Sequence, residues 1–203
     1  YQTLRLDDMH NSFSSGSPYN TLFCGKNASS VMQAYNMLCG EDSHIPNIVS
    51  GHPSNVNLSN VTNYSAFDGF DTFPRSVMCK NNTRFIYTEA PSKCYENVNE
   101  YVLFVLKSIL SVMKLQSVGG CFIMKIDCVF YKPIIDLIYI ISNMYAKTYL
   151  MKPNTSNIIT DERYVVCKSF IRCEKSYYNK ITCIYNQLKN SMNDITIGSL
   201  LDN

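Results

Sequence analysis

The chain has no glycine-rich phosphate loop, no paired C-x-x-C, no apolar leader and no apolar run long enough to cross a bilayer. Each absence removes a class of protein. The opening "YQTLRLDDMHNSF" lacks the apolar core of a secretory signal. The most apolar segment, "PIIDLIYIISNMY" (133–145), carries Asp136 and falls short of the ~20 residues a span requires, so a buried helix is expected and no membrane partner. Charge of one sign is also scarce. A net charge of +2 and a pI near 8.1 are too mild to argue for nucleic acid by themselves, and do not oppose it. The chain starts on Tyr1 rather than Met, as a piece of a longer protein would.

Cysteine is plentiful, yet its pattern suits neither zinc nor a disulfide framework. The nine cysteines are an odd number in a chain of 203 residues, where a small exported fold would use an even set. Cys121 and Cys128 stand seven apart and Cys167 and Cys173 six apart, which is not structural-zinc spacing. Asn27, Asn57, Asn60, Asn63, Asn81 and Asn154 each begin an Asn-x-Ser/Thr triplet, as in a secreted glycoprotein, but an Asn- and Ser-rich chain makes such triplets by chance. Free thiols in a reducing compartment, hence a cytoplasmic protein without bound metal, is the expectation.

With 46% hydrophobic and 17% charged residues, the chain has the balance of a globular protein, and its length suits one domain over 1–203. "TLFCG" (21–25) is a short buried strand, followed by a helix that Asn27 or Ser29 can cap and Gly40 ends. Residues 41–76 are rich in Asn, Ser, Gly and Pro and read as loops with weak strands such as "NIV" (47–49). "RFIYT" (84–88) is the next strand. Val98, Tyr101, Val102, Val105, Ile109, Val112 and Met113 then recur at helical spacing, with Asn97 and Glu100 spaced as a capping box. Gly119-Gly120 is expected to end that helix and admit the strand "CFIMKI" (121–126). Pro133 suits the first turn of the next helix. "KTYLM" (147–151) and "RYVVCK" (163–168) lie too close for a crossover helix and should pair antiparallel, and "KSYYNKITCIYNQLKN" closes the chain as a helix. The fold class is α/β: a mostly parallel sheet with an antiparallel C-terminal hairpin and helices on both faces.

Three charged residues punctuate strands that otherwise read as core: Glu89 after "RFIYT", Lys125 within "CFIMKI" and Glu162 before "RYVVCK". Taken singly, each has a plain explanation, because such a lysine snorkels to solvent and a Glu–Lys surface pair contributes under ~1 kcal/mol. Together they carry more weight. Ligands bind beyond the carboxyl ends of parallel strands, and the start of an antiparallel strand lies on that same edge.

The stretch "KPNTSNIITDERYVVCK" (152–168) resembles a motif of the FtsJ-like RNA ribose 2'-O-methyltransferases, a family that includes viral and cellular mRNA-cap enzymes. That family shows Lys-Pro, Ser-Arg and then Glu-x-Tyr-x-Val. Here Lys152-Pro153, Ser156-Asn157, Glu162, Tyr164 and Val166 stand in those places. Gly119-Gly120 with Lys125 resembles the family's "GG…K" strand, and "TEAPS" (88–92) its Ser-Asp-x-Ala-Pro. The likeness covers 84–168 by motif and 20–83 by element order alone, leaving 169–203 as a helical extension. It implies a Rossmann-like methyltransferase sheet, S-adenosylmethionine as cofactor and RNA, most simply a capped 5' end, as substrate.

Of the family's Lys-Asp-Lys-Glu tetrad, Lys125 matches the second lysine and Glu162 the glutamate, while Glu89 replaces the aspartate. The first lysine has no counterpart, because the residues before "TLFCG" hold Arg5 and no Lys. The resemblance assigns cofactor contacts to Cys24, Gly25, Asn27, Asp71 and Ala90, and substrate contacts to Ser156 and Asn157. Lys125 would need a lowered pKa to act as base. In the turn "FCGKNASS", the side chains of Lys26 and Asn27 are expected to crowd the cofactor and slow turnover. Two functions follow: a ribose 2'-O-methyltransferase, of viral origin by its Asn/Ile/Tyr/Lys-rich composition, or an inactive methyltransferase-like module binding RNA or a protein. A protein partner or a preceding segment would supply the missing parts.

Overall fold

The computed structural model describes residues 20–39, 47–51, 61–64, 83–90, 94, 96–127 and 129–190. They form strands β1 (Asn20–Gly25), β2 (Asn47–Gly51), β3 (Val61–Tyr64), β4 (Thr83–Glu89), β5 (Gln116–Ile126), β6 (Tyr145–Met151) and β7 (Arg163–Phe170). The helices are α1 (Ala28–Cys39), α2 (Val98–Leu115), α3 (Lys132–Ser142) and α4 (Lys175–Asn190). The strands make one seven-stranded sheet in the order β3-β2-β1-β4-β5-β7-β6. β1 to β5 run parallel, and β7 pairs antiparallel with both β5 and β6. The expected hairpin of 147–151 with 163–168 is present, and the strand 121–126 is an interior one. β3 is a strand that the loop-like composition of 41–76 hid.

Strand alternation sends neighbouring side chains to opposite faces, and each face has its own core. Leu22, Cys24, Ile86, Phe122, Met124, Val165 and Cys167 face α2, α3 and α4. Phe23, Phe85, Tyr87, Cys121, Ile123 and Val166 face the other way, where α1 contributes Ala28, Met32 and Tyr35. Helices therefore cover both faces. Three rings pin α1 to the sheet, with Tyr35 centred 4.5 Å from Phe85 and 5.7 Å from Phe23. That anchorage fixes where the first turn of α1 lies.

The glycine pair does not end α2. The helix stops at Leu115, and Gly119 and Gly120 lie inside β5, where the register against β4 shifts between Thr83↔Gln116 and Phe85↔Cys121. Extra residues on one strand make a bulge, and glycine suits the bent backbone. Gly119 has φ +79°, and a Cβ on Gly120 would run into the Gln116 amide and lie 2.9 Å from Arg84 O. That amide fills the bulge, donating to Arg84 O at 3.0 Å and Cys121 O at 3.2 Å. Asn97 caps α2 as its sequence position suggests, accepting from the Asn99 backbone N–H at 2.9 Å. Among the described residues no helix is long and apolar enough to cross a membrane.

Candidate active site

The strand order reverses direction between β1 and β4, because the chain builds outward from β1 to β3 and then returns to add β4 beside β1. Such a switch point leaves a crevice at the carboxyl ends of the strands. Glu89 ends β4 and is in register with Lys125 on β5, which in turn is in register with Tyr164 on β7. Alternation places Glu89 on the face of Phe85 and Tyr87, and Lys125 on the face of Cys121 and Ile123. Glu162 stands two residues before Tyr164 and so shares that face.

The three charged residues do converge. Lys125 Nζ lies 3.0 Å from Glu89 Oε1 and 3.1 Å from Glu162 Oε2. The Glu89 side chain is only 5% exposed, so its charge needs partners. It has several: the Asn27 backbone N–H donates to Oε2 at 3.1 Å, the Asn27 amide to Oε1 at 2.8 Å, and the Tyr87 hydroxyl to Oε2 at 3.4 Å. Glu162 accepts from the Tyr164 hydroxyl at 3.1 Å. Burial pushes the Tyr164 phenol up to about 12, with the neighbouring Glu162 adding to the rise.

The protonation of Lys125 differs from what base chemistry seemed to require. Burial favours the neutral amine, but hydrogen bonds and charge from Glu89, and then from Glu162, outweigh it and hold the pKa above the ordinary lysine value. Lys125 is an ammonium clasped by two carboxylates. Within the clasp itself one ammonium faces two carboxylates, an excess of one negative charge among these three groups that suits a cationic ligand.

Gly25 makes the clasp possible. It has φ +127°, and a Cβ there would fall 2.7 Å from Glu89 Cβ and 2.8 Å from Glu89 O. The turn after β1 therefore passes directly over Glu89, and only glycine allows this. Asn27 stands at the start of α1, where its C=O accepts from Val31 N at 3.0 Å, but its side-chain amide is turned onto Glu89. The expected crowding by Asn27 is thus replaced by an anchoring contact, while Lys26 is exposed.

The remaining candidates fall in different places. The side chains of Cys24 and Ala90 are buried in the core on the α2 face, away from Lys125, so only their main chains border the crevice. Burial raises the Cys24 thiol far above its ordinary value. Beside them, Thr88 Oγ1 is buried without a hydrogen-bond partner among the described residues, the kind of atom a ligand's polar group satisfies. Ser156 and Asn157 brace their own loop: Ser156 Oγ donates to Pro153 O at 2.8 Å and Asn157 Oδ1 accepts from Ile159 N at 3.0 Å. Lys152 ties that loop down through Ile158 O and Thr160 O at 3.0 and 2.6 Å. Asp71 lies outside the described residues. Sequence reading missed Asn27 as a partner of Glu89, and missed Tyr87. Period-two alternation back from Glu89 would have found the tyrosine. Among the described residues no cluster of His, Cys, Asp or Glu could hold a metal.

The fold is that of the methyltransferases. A structure described as a ribosomal RNA methyltransferase from Plasmodium falciparum superposes with a TM-score of 0.54 at 18% identity, over 83% of this chain and 96% of that one. A methyltransferase complexed with SAH gives 0.50 at 12% identity, over 82% of this chain and 50% of the other. In sequence, the chain is similar to curated proteins named cap-specific mRNA (nucleoside-2'-O-)-methyltransferase 1. The protein from Trypanosoma brucei is 28% identical over 122 residues, 55% of this chain and 32% of the relative. The human protein is 30% identical over 107 residues, 50% of this chain and 13% of the relative. The chain thus spans about a third or less of these relatives' length. No family model matches. The resemblance to the ribose 2'-O-methyltransferases is borne out, and these relatives are eukaryotic, which gives the expected viral origin no support.

Proposed function

We propose that this domain transfers a methyl group from S-adenosylmethionine to a ribose 2'-hydroxyl of RNA, at an mRNA cap. The observation that carries the reading is Lys125, held between Glu89 and Glu162 at 3.0 and 3.1 Å on the rim beside the β1–β4 switch point. The named activity of the trypanosomal and human relatives supports the choice of ribose and cap. The cofactor would lie against the main chain of Cys24, Gly25 and Ala90, with its charge toward the Glu89–Glu162 side of the rim. S-adenosylmethionine, when bound, supplies a methyl group on a sulfonium.

The chain's own residues do the rest. Glu89 and Glu162 fix the Lys125 amine on the rim, where it can meet a ribose hydroxyl. With the methyl group taken by the hydroxyl oxygen as its bond to sulfur breaks and the sulfonium leaves as a neutral thioether, the hydroxyl proton would pass to Lys125 Nζ if the amine is neutral. The clasp opposes that neutrality, and a cation placed on the rim favours it by like-charge repulsion. Before that, the ammonium donates to the carboxylates and holds the geometry. A reducing, cytoplasmic setting fits the free thiols of Cys24, Cys94, Cys121, Cys167, Cys173 and Cys183. A protein partner completing the site is part of the same proposal.

The test is calorimetric titration with S-adenosylmethionine and its demethylated product, followed by a methyl-transfer assay on capped and uncapped RNA. Binding of both and transfer to the cap-proximal ribose support the reading. RNA binding without cofactor binding would leave an inactive methyltransferase-like module.

A further inference from the structure

The side of the sheet opposite Lys125 carries a second groove, with Leu110 in its floor and basic and phenolic side chains on its walls. α2 packs against α4 there, and between them lies a groove of about 120 Å³ lined by Lys107, Ser111 and Lys114 of α2 and Tyr178, Thr182 and Tyr185 of α4. Lys107 and Lys114 are seven residues apart, as are Tyr178 and Tyr185, with Ser111 and Thr182 each four residues into its run. Seven residues is two helical turns, so each pair lies on one face, about 10 Å apart along its axis. One wall is a rail of ammonium groups, and the other a rail of phenol rings.

Among the described residues the charged groups lining the groove are Lys107 and Lys114, and no carboxylate lines it. Over their full lengths α2 and α4 carry five lysines (Lys107, Lys114, Lys175, Lys180, Lys189) against a single acid, Glu100. Of the 16 residues of α4 only Ile181 is fully buried, while Tyr177, Tyr178, Ile184, Tyr185 and Leu188 pack partly against the core, so Tyr178 and Tyr185 keep only part of each ring toward the groove.

We infer that the α2–α4 groove is a binding track for single-stranded RNA, with Lys107 and Lys114 on phosphates and Tyr178 and Tyr185 offering ring faces to bases. Positive charge that follows the backbone, joined to aromatic rings, is how proteins hold single strands without reading sequence. An acidic peptide would use the lysines but gain nothing from the ring spacing. The inference rests on RNA being the substrate. Because the groove and Lys125 lie on opposite faces of the sheet, the RNA in the track is a segment other than the methylated nucleotide.

The experiment measures anisotropy of a labelled, uncapped oligouridylate of about 12 nucleotides against salt concentration. Wild type is expected to bind with a negative slope of log affinity against log salt. Lys107→Gln with Lys114→Gln should lower that slope by about 1.4, or ~0.7 for each lost phosphate contact, without moving the thermal midpoint. Exposed Lys114→Gln alone should lower it by about half as much, which serves if the double variant is unstable. Tyr185→Phe should bind as wild type and Tyr185→Leu about tenfold more weakly. An unchanged slope in folded lysine variants overturns the proposal, as does failure of wild type to bind, or polyglutamate competing as well as RNA. Lys125→Met separates the two readings, because it should abolish methyl transfer and leave oligouridylate binding intact. Transfer that depends on Lys125 with a groove-insensitive slope removes the track alone.

Discussion

Asn27 grips Glu89 from two directions, its backbone N–H 3.1 Å from one carboxylate oxygen and its side-chain amide 2.8 Å from the other. Asn27 starts the helix after β1, and Glu89 ends β4, so the contact closes the switch point between those strands. It ties the turn expected to border the cofactor to the carboxylate that holds Lys125.

Asn27→Ala should therefore cost more than a helix cap. It removes the amide donor from a carboxylate that is nearly fully buried, and hydrogen bonds to charged groups contribute about 1.5–3 kcal/mol. Denaturant unfolding should show a loss of that order, and cofactor affinity should fall with it. Wild-type values for both would show that Lys125, Tyr87 and the residue-27 backbone N–H hold Glu89 without the amide.

Gly25→Ala is expected to be worse for activity than its size suggests. The new methyl meets Glu89 Cβ and carbonyl oxygen in a backbone conformation that disfavours alanine. Strain of about 1–3 kcal/mol is expected, relieved by moving Glu89 away from Lys125. A crystal structure of the variant with the Glu89–Lys125 distance unchanged would contradict this.

Lys125→Ala should lower methyl transfer by roughly 100- to 10,000-fold, the range for loss of a positioned acid–base group. The fold should survive, since Lys125 lies at the rim and is 15% exposed. Circular dichroism with a transfer assay separates the two effects, and near-normal turnover would place the chemistry elsewhere.

The pH dependence follows from the clasp. The Lys125 pKa is raised in the folded state, so its contribution to stability is fully present below the ordinary lysine value and is lost only as pH rises through the folded one. If the neutral amine takes the ribose proton, kcat/KM should climb with pH without levelling below ~10.4, the ordinary lysine value. Glu162→Gln removes one charge and should move the rise to lower pH. A profile in Glu162→Gln identical to wild type would exclude Lys125 as the titrating group.

Thiol reactivity should follow burial. Cys183 is exposed, whereas Cys24, Cys121 and Cys167 are buried and burial pushes the Cys167 thiol up to about 12. Native alkylation followed by peptide mass analysis should label Cys183 before Cys24, Cys121 and Cys167, which should react only on unfolding. Several disulfides in the unreduced protein would revive the exported reading.

Much of this was legible in the sequence because it is local or periodic. Unbroken apolar strands, the helical spacing from Val98 to Met113, and the short connection between β6 and β7 specify an α/β sheet with an antiparallel end. Charges interrupting core strands marked Glu89, Lys125 and Glu162, since an ionisable group in an apolar run needs a partner. What sequence could not supply was the pairing partner itself. Asn27 and Glu89 are 62 residues apart, and nothing local distinguishes an Asn that caps a helix from one that turns its amide onto a buried acid. Gly119-Gly120 has the composition of a helix end, but the Gln116 side chain and the register of β4 make it a bulge. The Lys125 pKa is likewise a tertiary property, because one carboxylate at the end of β4 and one just before β7 close around the amine and outweigh its burial. Sequence determined which residues sit at the strand ends; packing of the β1 turn over β4 decided what each of them holds.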